Sequence, residues 1–179
     1  VDAPSADGGT ALLWAVHLDQ PDIVALLLDA GADVAATNRY GVGPASLAAE
    51  NGRASILEAL LDAGVDPNDT LPGGETLLMT AARTGDPETV RTLLARGADP
   101  NRRETTRGQT ALMWAAANNN AQTIHALAEQ GADINARTDN PSTSPGRPFV
   151  YPPPTAFSPL MFAVRAGHLE STQVLLDAG

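Results

Sequence analysis

The side chains best suited to proton transfer or metal ligation at neutral pH are three histidines, His17, His125 and His168. None belongs to a His-x-x-x-His or Glu-x-x-His pair, the helical spacings that put two ligands on one metal. None is placed with a Ser and an Asp in a way that suggests a nucleophile, base and orienting acid. The sequence contains no Cys, so thiolate metal sites, disulfides and a Cys nucleophile are excluded. Its glycines sit in turn contexts and form no phosphate-cradling loop. The expectation is therefore a chain that is not an enzyme and holds no cofactor and no metal.

Recognition chemistry is better represented. All 11 basic residues are Arg, the planar multi-donor cation, and six of them (Arg39, Arg102, Arg103, Arg107, Arg137 and Arg147) fall in turn-like segments. Acidic residues gather instead near apolar helical stretches, as at Asp29, Asp33, Asp62 and Asp66. The net charge of −10 disfavours a nucleic-acid partner. No run of about 18 apolar residues exists to cross a membrane. The Arg-rich turns read either as solvated surface or as a strip for an acidic protein partner.

What must position these residues is a period. Gly31, Gly64 and Gly97 are spaced by 33 residues and Gly131 follows 34 later, each closing a Leu-rich phrase such as Leu27-Leu28-Asp29-Ala30-Gly31. Gly179 ends a fifth copy. A period near 33 means small units that bury a continuous core only by stacking. Residues 73–101 show the unit. Thr76 opens a short, Ala-rich apolar stretch that favours helix. Gly85 breaks it, Asp86 stands at an N-cap and Pro87 at the first helical position. Val90, Leu93 and Leu94 form an apolar face, and Gly97 is expected to end that helix in the left-handed conformation.

Ala15, Ala48, Ala81, Ala115 and Ala163 share one phase, where a small side chain allows close backbone approach. Met79, Met113 and Met161 share another and read as gap fillers between units, or as an adaptable contact stripe. Trp14 and Trp114, with Phe162 in register, are expected to pack in the core, with partner anchoring as the alternative.

These residues resemble the ankyrin repeat. The first half of its unit is seen in Gly8-Gly9-Thr10-Ala11-Leu12, Gly74-Glu75-Thr76-Leu77-Leu78 and Gly108-Gln109-Thr110-Ala111-Leu112. The second half is seen in Asp22-Ile23-Val24, Leu27-Leu28 and Gly31-Ala32-Asp33, and Gly167-His168-Leu169-Glu170 matches it again. The second unit departs from the pattern at Gly43-Pro44-Ala45-Ser46, and the usual His of the first helix is absent from all units. The resemblance implies an all-α solenoid of stacked helix-turn-helix units with projecting turns, or fingers. Units are expected at about 5–37, 38–70, 71–104, 105–137 and 153–179, with a Pro-rich inserted finger at 138–157 in a single array over 1–179.

The insert holds six Pro and three aromatics. Lengthening that turn from 12 to 27 residues costs only about 0.7 kcal/mol in loop closure, so length alone says nothing of function. Its composition reads as a partner-contacting protrusion, a segment folded back on the array, or a disordered insert.

The resemblance implies a non-enzymatic protein–protein interaction module using the finger tips and the exposed ends of the first helices. The alternative is an architectural spacer or tether for another domain of a longer parent. Register nominates Arg39, Tyr40, Glu50, Arg83, Arg103, Arg107, Asn118 and Arg165, with Arg147, Phe149 and Tyr151 from the insert, as partner-binding residues. The expected protein is a soluble monomer, cytoplasmic or exported, with both ends looking cut. Its Arg-only, Ala-rich composition reads as a bacterial signature.

Overall fold

The structure, a computed structural model, describes residues 1–139 and 156–179. Among the described residues it contains ten helices: α1 (Ala11–His17), α2 (Pro21–Asp29), α3 (Pro44–Glu50), α4 (Ala54–Asp62), α5 (Leu77–Thr84), α6 (Pro87–Ala95), α7 (Ala111–Ala117), α8 (Ala121–Glu129), α9 (Pro159–Ala166) and α10 (Leu169–Ala178). The only β pairing among those residues is an isolated bridge between Thr70 and Thr76.

Local signals start the helices where the sequence predicts. The Thr76 hydroxyl accepts from Met79 N at 3.2 Å, and the Asp86 carboxylate accepts from Thr89 N at 2.8 Å. Thr10 and Ser158 cap α1 and α9 in the same way. Pro21, Pro44, Pro87 and Pro159 occupy the first helical position, where a missing N–H costs nothing.

Helices this short are marginal alone, so stacking must supply the stability. The odd-numbered helices pack one on the next, as do the even-numbered ones, and each helix also contacts its partner in the pair. Val24, Leu57, Leu60, Val90, Leu93, Ile124 and Leu127 fill the interior between pairs. The predicted alanine phase is buried at every position from Ala15 to Ala163. Met79 and Met113 are buried gap fillers, whereas Met161 is 40% exposed on the last pair, which has no described neighbour beyond it.

The tryptophan expectation needs correction. Trp14 is 49% exposed, and Trp114 and Phe162 are only half-buried. Trp114 and Phe162 still pack one side against the core, so the expectation fails fully only at Trp14. Trp114 is covered by the Arg83 guanidinium of the preceding pair, 5.4 Å from the ring centroid, and no preceding pair exists in the described chain to cover Trp14.

Each finger is closed at its base by one backbone bond in constant phase. The pairs are Ser5 N to Gly9 O, Asn38 N to Val42 O, Leu71 N to Glu75 O, Glu104 N to Gln109 O and Thr138 N to Phe157 O, at 2.8–3.0 Å. The long fifth finger thus keeps the same base as the short ones. A second bond, Phe157 N to the Thr138 hydroxyl at 2.9 Å, reinforces it.

Candidate protein-binding face

Every Trp, Tyr and Phe among the described residues lies on an odd-numbered helix or a finger, and none lies on an even-numbered helix. The even-numbered helices instead expose carboxylates, including Asp29, Glu58, Asp62, Glu88, Glu129, Glu170 and Asp177. Stacking in constant phase is what segregates the two faces.

The aromatic and cationic residues form a broken row. At one end, exposed His17 meets the Trp14 ring edge-on with centroids 5.8 Å apart. Leu13, Val42 and Leu47 complete a depression of about 200 Å³ beside that ring. On the adjoining second finger, Arg39 lies 5.0 Å over the ring of Tyr40, which is 68% exposed. Asn38 holds this turn by accepting from Tyr40 N and Val42 N at 2.9 and 3.1 Å.

At the centre, the Arg83 guanidinium covers Trp114 and reaches Glu50 and Glu75, each at 3.7 Å. Glu50 and Arg83, which share a phase in adjacent units, meet here. Phase does not reveal Glu75, which also accepts from the Thr80 hydroxyl at 2.9 Å. Asn118 lies at the end of α7 and donates to the Trp114 carbonyl at 2.8 Å. A depression of about 360 Å³ opens between the third and fourth fingers, lined by Glu75, Glu104, Arg107, Gln109 and Trp114.

Glu104 is the organiser of the fourth finger and escaped the sequence reading. It is buried and accepts from the backbone N–H groups of Thr106, Arg107 and Gln109, the last two at 2.7 and 3.0 Å. Burial pushes its carboxyl up, but these N–H donors outweigh that and hold it below the usual glutamate range. A signal was present: Glu104 occupies the finger-base phase of Asn38, another side-chain acceptor.

Arg103 pairs with Asp139 at 2.7 Å, so this cation and Arg83 are already matched by carboxylates. Arg39, Arg107 and Arg165 pair with no carboxylate among the described residues. Arg165 sits 5.6 Å over Phe157, which in turn packs on Phe162 at 5.6 Å between centroids. Of the turn arginines, Arg39 lies over an aromatic ring and Arg103 is paired with a carboxylate, while the helix arginines Arg83 and Arg165 also cover rings. Arg147, Phe149 and Tyr151 lie outside the described residues.

No group of three or more potential metal ligands is gathered among the described residues, and no described helix is long and apolar enough to cross a membrane.

Comparison with protein families matches residues 45–138 to a model described as ankyrin repeats in three copies and residues 7–39 to a model of the single ankyrin repeat. A search of curated proteins returned no match. Ankyrin repeats generally serve as protein–protein interaction modules and are typically non-enzymatic, and it is to the ankyrin-repeat family that this chain belongs.

Proposed function

We propose that the chain binds a partner protein across its fingers and the ends of its odd-numbered helices, and that the partner offers an acidic surface. The observation that supports this reading is the segregation of aromatic side chains to that face. Trp, Tyr and Arg are the residue types that dominate interface energetics, and a solvated face has no need of them. Trp14, His17, Arg39 and Tyr40 form one anchor, and Glu50, Arg83, Trp114 and Asn118 form a second. Arg107 and Arg165 supply cations free to meet partner carboxylates. Arg103 contributes through the fourth finger, and Arg147, Phe149 and Tyr151 of the inserted segment remain candidates by sequence alone.

Affinity capture followed by quantitative binding tests the reading. Trp14→Ala with Tyr40→Ala is expected to weaken the captured complex by about 30-fold or more, the scale of losing one hot-spot contact of about 2 kcal/mol. Arg39→Glu with Arg107→Glu is expected to weaken it and flatten its salt dependence. Glu88→Arg and Glu129→Arg, on the opposite face, are expected to leave it intact. Binding that survives the finger-face changes and fails with the second pair would place the interface on the even-numbered helices.

A further inference from the structure

Five loops join or precede the helix pairs: residues 2–9, 31–43, 64–76, 97–109 and 131–157. Most neighbouring loops are tied by two kinds of bond in constant phase. One runs from finger to finger: Arg39 N to Asp7 O at 3.0 Å, Thr105 N to Gly73 O at 3.3 Å and Asp139 N to Arg107 O at 2.7 Å. The other is a side-chain bridge below the fingers. Asn68 donates to Gly97 O at 3.0 Å and accepts from Asp99 N at 2.8 Å. Asn101 repeats this with Gly131 O and Asp133 N at 2.9 and 2.7 Å, and Asp2 accepts from Asp33 N at 3.0 Å.

Between loops 31–43 and 64–76 both kinds are missing, and no hydrogen bond joins them among the described residues. Two residues explain it. Pro72 stands in the phase of Arg39, Thr105 and Asp139 but has no N–H to give the Tyr40 carbonyl. Ala35 stands in the phase of Asn68 and Asn101 but has no side-chain amide. A cavity of about 260 Å³ lies between the same two loops, lined by Val34, Ala35, Gly41, Val65, Thr70 and Leu71 among others, and the contact between them is the apolar one of the Pro72 ring beside Gly41. The helices beneath remain packed, α3 on α5 and α4 on α6.

We propose that this seam is a joint in the array, at which the second finger with Arg39 and Tyr40 swings against the third while the helix stack stays closed. Local opening concentrates where few bonds must break, and here the loops contribute none. The joint stands whether or not that face binds a partner.

Backbone hydrogen exchange on the intact chain tests it. The Asn38 and Leu71 amides, which close the fingers flanking the seam, are expected to exchange about tenfold faster than the Glu104 amide, the same position in a tied finger. Ala35→Asn with Pro72→Thr supplies a bridging amide and an N–H toward Tyr40. It is expected to slow exchange at Asp66 and Asn38 by about fivefold, the factor for one hydrogen bond of about 1 kcal/mol. Asn101→Ala is the converse, expected to speed the Asp133 amide by a similar factor. Equal protection at Asn38, Leu71 and Glu104 would overturn the joint. So would a folded double variant with unchanged exchange at Asp66, or an Asn101→Ala chain with unchanged exchange at Asp133.

Discussion

Replacing Gly85 and Gly97 by Ala, one at a time, separates backbone strain from the worth of a clip between helix pairs. Both glycines have positive φ, +86° and +90°. At Gly97 an added Cβ meets no heavy atom within 4 Å, so only the backbone responds. Left-handed geometry costs an L-residue roughly 1–2 kcal/mol, and the stiffer unfolded chain returns about 0.4–1. Gly97→Ala should therefore destabilise by about 0.5–1 kcal/mol. At Gly85 the Cβ collides with the Asn120 carboxamide. That carboxamide donates to the Ala82 and Arg83 carbonyls at 2.9 and 3.0 Å, satisfying the open end of α5 from the next pair. Moving it forfeits two hydrogen bonds at about 0.5–1.5 kcal/mol each, so Gly85→Ala should cost about 1.5–4 kcal/mol in all. Urea unfolding followed by helical circular dichroism reads both, with a check that the transition stays single, since repeat arrays can lose cooperativity. In an Asn120→Ala background the two substitutions should cost the same. If Gly85→Ala costs no more than Gly97→Ala in the native background, the clip contributes nothing and the reasoning fails.

Three further outcomes follow from the same geometry. Glu104 has its carboxyl held below the usual range, so its contribution is complete above the unfolded value and fades as pH falls through the folded one. Exchange at the Thr106 and Arg107 amides, corrected for intrinsic rates, should accelerate as pH falls below the ordinary glutamate range, and Glu104→Gln should abolish that dependence. Met113→Ala empties a fully buried site between pairs and should cost about 2–5 kcal/mol in urea unfolding, whereas Met161→Ala should cost less than about 1. Deleting 141–154 should leave helical circular dichroism unchanged, because the fifth finger is closed below it by Thr138 and Phe157; a large loss would tie the insert to the stack.

The sequence made the fold legible because each unit repeats its punctuation. Thr76, Gly85, Asp86, Pro87 and Gly97 mark every boundary of one helix pair, and they do so by local chemistry that needs no tertiary context. The shared phase of Glu50 and Arg83 was likewise readable, and it puts them on adjacent helix ends. Trp14 was misread because burial in a stack depends on what the neighbouring unit sends over the ring, and phase is blind to that. Glu104 was missed for a related reason. A carboxylate in a turn looks like solvated surface until three N–H groups are seen to converge on it. The seam was written in plain sight, at Pro72 and Ala35, but its meaning requires knowing which carbonyl each position faces.

The bond from Thr138 to Phe157 carries a consequence for finger length. It gives the fifth finger the same base as the short ones, so the helices on either side receive the same anchoring geometry whatever the length of chain between Thr138 and Phe157. Because closing a longer excursion costs only logarithmically, each doubling adds about 0.6 kcal/mol. Thr138 and Phe157 thus set the cost of a longer finger at the base, where it is small, rather than in the packing of α8 against α10.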